Sequence, residues 1–135
     1  DALGGEPGVH SHRWVYHGRD STDEELIAYT IKRLKNVPEG KRGAQLRLVL
    51  ALVFPDGSMQ MSTERVRGVV PLVPVNKITQ GFPYRSLLYL PKIKKYYNHD
   101  ELTAKETERY NHRKIALDKL KPAIREWLTS HSGKV

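Results

Sequence analysis

Ala44-Gln45-Leu46-Arg47-Leu48-Val49-Leu50-Ala51-Leu52-Val53-Phe54 runs into Pro55-Asp56-Gly57-Ser58, and Met59 to Val70 runs out of it. Leucines at 46, 48, 50 and 52 recur every second residue, the period of a strand with one buried face. Gln45 and Arg47 keep the other face polar at first. From Val49 on, with Ala51 and Val53, both faces are apolar, which predicts a strand covered on both sides there. Pro-Asp-Gly-Ser is turn chemistry, so the stretch predicts a β-hairpin returning through Met59 to Val70.

Upstream of the hairpin, Gly4, Gly5, Pro7 and Gly8 predict a loop over the first ten residues. Ser21 with Glu24 has the spacing of a helix capping box, and Ile27, Ile31 and Leu34 repeat at helical spacing. A helix is expected from about Thr22 to Asn36, ended by Pro38 and Gly40. Downstream, Pro71 to Gln80 reads as a loop and Ser86 to Leu90 as a short strand stopped by Pro91. Thr103 caps a short helix to Tyr110. A last helix opens near Asn111, with Ile115, Leu117, Leu120, Ile124, Trp127 and Leu128 on or near its buried face. Pro122 predicts a kink or two abutting helices, and Ser130 to Val135 are expected to fray. The elements predict an α/β fold of mixed type: a largely antiparallel sheet flanked by helices.

A chain of 135 residues is one domain's worth. The longest apolar run, Leu48 to Phe54, is too short to span a bilayer, so no membrane partner is expected. Cysteine is absent, which excludes disulfides and thiolate chemistry and fits a cytoplasmic setting. The formal charge of +8 favours an anionic partner. Lys92, Lys94 and Lys95 beside Tyr96 and Tyr97 have the make-up of a single-strand nucleic-acid platform; such runs are more often a solvated face, and no nucleic-acid partner is expected. None of the six histidines shares a helix face with a second ligand at metal spacing, so no metal ligand is assigned.

Two segments carry recognisable chemistry. Gly81-Phe82-Pro83-Tyr84-Arg85 sets two aromatic rings round a turn, either as core residues at a strand start or as a stacking wall for a base, worth about 1–3 kcal/mol. Asn111-His112-Arg113 opens a helix. Asn111 is a good cap, the free N–H groups there favour an anion, His112 offers a hydrogen bond to a phosphate or base edge, and Arg113 offers a planar fork. The plain alternative is a cap followed by two exposed side chains.

Taken in order, these residues resemble the inosine triphosphate pyrophosphatase family. Asp1-Ala2-Leu3-Gly4-Gly5-Glu6-Pro7-Gly8 is similar to its D-A-L-G-G-x-P-G segment, and Ser11-His12-Arg13-Trp14 to the S-A-R-[YF] that follows. Gly81-Phe82-Pro83-Tyr84-Arg85 stands where the family has G-F-G-[YW]-D. Glu101-Leu102-Thr103 through Asn111-His112-Arg113 resembles E-L-T…S-H-R. The resemblance implies hydrolysis of purine nucleoside triphosphates of the ITP and XTP kind to monophosphate and pyrophosphate, by a homodimer using Mg²⁺. It implies substrate binding by Phe82, Pro83, Tyr84, Arg85, Thr107, His112 and Arg113, with Ser11 and Arg13 as further contacts.

The departures from the family pattern bear on that expectation. An acid that reads the base is replaced by Arg85, a glycine by Pro83, and a lysine by Thr107. The identity of the base is therefore open, and a relative that binds a nucleotide or other phosphate ester without hydrolysing it is the alternative. The chain starts at Asp1 rather than Met. The family's phosphate loop, metal-binding Glu and catalytic Asp would precede that residue. The expectation is a single domain over 1–135 lacking an N-terminal lobe. It would hold no catalytic residue of its own and be inactive alone, with its Mg²⁺ ligands upstream.

Overall fold

The structure is a computed structural model that describes residues 1–132. The chain forms α1 (Asp23–Leu34), β1 (Gly43–Val53), β2 (Met59–Val69), β3 (Tyr89–Leu90), β4 (Lys95–Tyr96), α2 (Ala104–Tyr110) and α3 (His112–His131), with 3₁₀ turns at Gly8–Arg13, Glu39–Lys41 and Pro83–Ser86. The sheet order is β1-β2-β3-β4. β2 and β3 pair antiparallel with Val69 opposite Tyr89, and β3 and β4 pair antiparallel with Leu90 opposite Lys95. The mixed α/β class with an antiparallel sheet is as the sequence predicts. No helix among the described residues is long and apolar enough to cross a membrane.

The hairpin closes as its turn chemistry demands. Phe54 N–H donates to the Ser58 carbonyl at 2.9 Å, and Gly57 takes φ +83°, a region that favours glycine. At the open end Val70 N–H donates to the Arg42 carbonyl, also at 2.9 Å. The two ends share one register, which pairs Val53 with Met59 and Ala51 with Met61. Burial alternates along β1, with Leu46, Leu48, Leu50 and Leu52 half-buried and the odd positions exposed. The expectation that Val49 to Val53 is covered on both faces is overturned: Val49 is 52% and Val53 62% exposed.

Three local expectations also change. The capping box is Thr22 with Glu25, not Ser21 with Glu24: Glu25 N–H donates to Thr22 Oγ1 at 3.2 Å and Thr22 N–H to Glu25 Oε2 at 2.9 Å. Ser21 is buried and its N–H is taken by the His12 carbonyl at 2.7 Å, so it closes the preceding loop instead. The segment Ser86 to Leu90 is extended only at Tyr89–Leu90, because Pro83–Ser86 coils and turns both Leu87 and Leu88 into the core. In α3 the buried stripe runs through His112, Ala116, Leu120 and Ala123, which leaves Leu117 and Leu128 on its exposed flanks. Pro122 sits inside one continuous helix rather than between two, and Ser130 and His131 remain helical; the rest of the expected frayed end, 133–135, lies outside the described residues.

Two compact units are distinguishable. The first comprises 1–45 and 67–107. Ile27, Leu34, Val70 and Leu87 form its core cluster, with Ile31 and Tyr84 packed against it. Leu26, Leu88, Leu90 and Tyr97 are also no more than 2% exposed. A methyl group on Gly68 would strike the Tyr89 carbonyl and come within 3.1 Å of Leu88, so glycine there permits β2 and β3 to approach. At the other end of the unit Trp14 meets the Tyr29 ring edge-on at 5.0 Å. The second unit comprises 46–66 and 108–135. There Phe54 stacks on Trp127 at 5.7 Å, Trp127 stacks on His131 at 4.4 Å, and Lys119 pairs with Glu64, which ties α3 to the hairpin.

Candidate functional site

The Gly81–Arg85 turn lies in the first unit and is pinned from several directions. Gly81, at φ +79°, donates its N–H to Asp23 Oδ2 at 2.6 Å, which fastens the turn to the first residue of α1. Phe82 N–H donates to the Thr79 carbonyl at 3.0 Å. Pro83 is buried and opens the 3₁₀ turn, where its missing N–H costs nothing. Behind the turn Asn98, fully buried, donates to the Lys77 carbonyl at 2.6 Å and holds Thr79 through its Oδ1.

Of the two aromatic side chains, one faces inward and the other outward. Tyr84 is half-buried, and its hydroxyl donates to the Ser11 carbonyl at 2.7 Å. Burial pushes its phenol well above the usual tyrosine range. Tyr84 is therefore a brace to the N-terminal loop, and Ser11 takes part through its backbone. Phe82 stays 41% exposed. The Arg85 guanidinium lies 5.1 Å from the Phe82 ring centre and 4.7 Å from that of Tyr97, and donates to the Tyr97 hydroxyl at 3.4 Å. A cation held between two rings keeps a fixed place on the Phe82 wall.

The remaining predicted residues have separate local settings. Arg13 is engaged with Asp20 at 2.9 Å in an exposed ion pair. Thr107 is half-buried on α2, its N–H bonded to the Thr103 carbonyl at 2.8 Å. In the second unit Asn111 caps α3 as predicted, its Oδ1 accepting from Lys114 N–H at 3.1 Å. His112 is only 6% exposed while Arg113 is exposed, so the pair is not two solvated side chains.

Sequence reasoning missed Tyr97, Asn98 and Asp23 as supports of the turn. Half of the Lys92–Tyr97 run is built into the fold: Tyr97 is 2% exposed, Tyr96 donates its hydroxyl to the Val73 carbonyl at 2.5 Å, and Lys95 pairs with Glu106 at 2.8 Å, while Lys92 and Lys94 stay exposed. No short-range pattern signals these contacts, since each joins residues far apart in the chain. An open groove of about 460 Å³ in the same unit is lined by Arg42, Pro71, Tyr89, Pro91 and Tyr96, and by none of the predicted site residues. Among the described residues no group of three His, Asp or Glu side chains could hold a metal ion.

The fold is shared with known proteins. The chain is 38% identical over 125 residues to a dITP/XTP pyrophosphatase of Thermus thermophilus, covering 93% of this chain and 57% of the relative. It is 36% identical over 128 residues to the Yersinia pseudotuberculosis dITP/XTP pyrophosphatase, covering 93% and 62%. The chain thus spans about three fifths of the length of these relatives. Among solved structures, the Staphylococcus aureus Ham1 protein matches with a TM-score of 0.76 at 26% identity, covering 93% of this chain and 61% of that one. A nucleoside-triphosphatase / dITP/XTP pyrophosphatase from Mycobacterium abscessus matches at 0.69 and 31%, covering 90% and 61%. The Ham1 family profile itself matches residues 1–123, nearly the whole described chain, and the resemblance read from the sequence holds at that level: the chain belongs to the Ham1 family.

Proposed function

We propose that this chain supplies the base-holding part of a nucleoside triphosphate pyrophosphatase that acts, as a homodimer, on purine nucleotides of the dITP and XTP kind. The observation that carries this reading is the braced Phe82 wall with the Arg85 cation fixed upon it. A base stacked on an exposed ring gains about 1–3 kcal/mol, and a wall tied to α1 does not have to be ordered when the base arrives. A guanidinium donates hydrogen bonds and accepts none. It therefore matches the O6 and N7 acceptors of a 6-oxopurine, while the amino group of adenine offers it a donor instead. His112 and Arg113, at the start of α3 in the second unit, are proposed contacts to base edge and anion, and Thr107 a further polar contact.

The resemblance places the Mg²⁺ ligands upstream of Asp1, and among the described residues no group of three His, Asp or Glu side chains could hold a metal ion; no step is derived through a metal. The second reading, a relative that binds the nucleotide without cleaving it, is favoured by the same Arg85, a cation where the family pattern has an acid. Titration calorimetry with ITP, XTP and ATP, run beside an assay of pyrophosphate release, tests both. Binding of ITP and XTP ahead of ATP, weakened by Phe82→Ala, supports the base-holding role. Release separates the enzyme from the binding relative. Equal or absent binding of all three nucleotides overturns the site.

A further inference from the structure

Arg85 is held in place from behind. Its guanidinium lies 4.7 Å from the Tyr97 ring centre and donates to the Tyr97 hydroxyl at 3.4 Å. Tyr97 itself is 2% exposed, and its backbone N–H donates to the Leu88 carbonyl at 2.7 Å, so the partner of the cation belongs to the packed core. In front, the Phe82 ring centre is 5.1 Å from the same guanidinium. Asp23, the carboxylate tied to this turn, accepts the Gly81 N–H at 2.6 Å and so serves the backbone. Beside the wall there is room: a methyl group placed on Gly81 would meet no heavy atom within 4 Å beyond its chain neighbours.

We propose that this site reads a purine only along its O6 and N7 edge, through Arg85 positioned by Tyr97, and therefore takes GTP alongside ITP and XTP; the proposal rests on the base-holding reading above and widens its ligand class. A guanidinium offers donors and no acceptor. Hypoxanthine, xanthine and guanine present it with the same acceptor pair, O6 and N7. They differ at position 2, which carries a hydrogen, an oxygen and an amino group respectively. That position lies across the six-membered ring from the edge Arg85 reads, beyond the span of one planar fork. Telling a 2-amino group from its absence needs an acceptor to reward it, or a dry wall that leaves it unpaired. Arg85 stands where the family pattern has an acid, so that acceptor is lost. Asp23 is engaged with Gly81, and the open space beside Gly81 lets a 2-amino group keep its water. Tyr97 acts through Arg85 and is a positioning residue: it fixes where the donors point, and with that the preference over adenine.

Calorimetric titration of the chain with ITP, XTP, GTP and ATP tests this. GTP is expected to bind within about fivefold of ITP, and ATP at least about tenfold more weakly than either, the discrimination of a bidentate pair. Arg85→Met keeps the length of the side chain and removes its donors, and should bring ATP level with the other three. Tyr97→Phe keeps the buried ring and removes the hydroxyl, and circular dichroism verifies its fold. It should narrow the gap between ITP and ATP severalfold, with ATP affinity unchanged and ITP and GTP still alike. A general loosening of the fold would lower all four affinities together and leave that ratio where it was. GTP bound more than about fivefold below ITP, with ITP still ahead of ATP, overturns the single-edge reading and leaves the base-holding one standing. An ITP-to-ATP ratio that survives Arg85→Met overturns Arg85 as the reader, and one that survives Tyr97→Phe overturns Tyr97 as its positioning residue. ATP bound as well as ITP, or no nucleotide bound, overturns this proposal together with the base-holding reading.

Discussion

The first unit buries its large side chains, and the second leaves many of its own in solvent. Leu26, Leu87, Leu88, Leu90 and Tyr97 are each at most 2% exposed in the first. The second relies on small residues, Ala116 and Ala123, with Leu120 and Val66, and on the Phe54–Trp127–His131 stack. Val49, Val53, Met59, Met61, Leu117 and Leu128 remain exposed there. A side chain that keeps its accessible surface contributes little to the hydrophobic driving force. The difference teaches where rigidity is available: the candidate base wall stands on the well-filled core, and the exposed apolar face of the hairpin stands on the sparse one.

The contrast breaks most directly by emptying each core. Leu88→Ala is expected to cost about 2–5 kcal/mol, the range for a leucine deleted from a packed interior. Leu120→Ala should fall at the low end of that range, because its surroundings are looser. Urea denaturation followed by circular dichroism gives both values; equal costs would end the distinction. Next in size, Arg113→Ala should weaken nucleotide binding by about 1.5–3 kcal/mol, the worth of a charged hydrogen bond. A titration that shows unchanged affinity removes Arg113 from the site. The caps sharpen the comparison further. Thr22→Ala and Asn111→Ala should each cost about 1 kcal/mol in thermal unfolding, since each removes one side-chain acceptor from a helix start.

The smallest effect concerns acid. The Arg19 guanidinium, aided by the Thr22 N–H, holds the Glu25 carboxyl down at about 2 from an ordinary 4.5. Lys95, aided by the Thr103 N–H, does the same for Glu106, also to about 2. A depressed folded-state pKa means that the unfolded chain binds the proton first as pH falls. Their stabilisation is thus complete above about pH 4.5 and is lost progressively down to about 2. Both groups are at the surface, so the effect is modest. Denaturation midpoints measured across that window should decline, and the decline should flatten in Glu25→Gln and Glu106→Gln.

Much of this was legible along the chain. The hairpin followed from leucines at every second position and a Pro-Asp-Gly-Ser turn, and the caps at Thr103 and Asn111 followed from residue type. What failed depended on neighbours distant in sequence. Ser21 and Thr22 are equally good caps until the His12 carbonyl takes the Ser21 N–H. The apolar run 86–90 suits a strand, but a two-residue β3 suffices once Pro83–Ser86 coils. Val49 to Val53 read as doubly buried because alternation tells which residues share a face and not whether anything covers it. At the site, the two rings of the turn were evident. The opposite duties of Phe82 and Tyr84, and the placing of Arg85 on Tyr97, rest on contacts that no local pattern encodes.

The chain has two tryptophans, and they fall one to each unit. Trp14 meets the edge of Tyr29, and Trp127 lies flat between Phe54 and His131. Each unit therefore carries its own intrinsic fluorophore in a different electronic setting. Single-tryptophan variants would let one dye-free optical signal follow the base wall's unit and the other follow the hairpin's unit through the same melt.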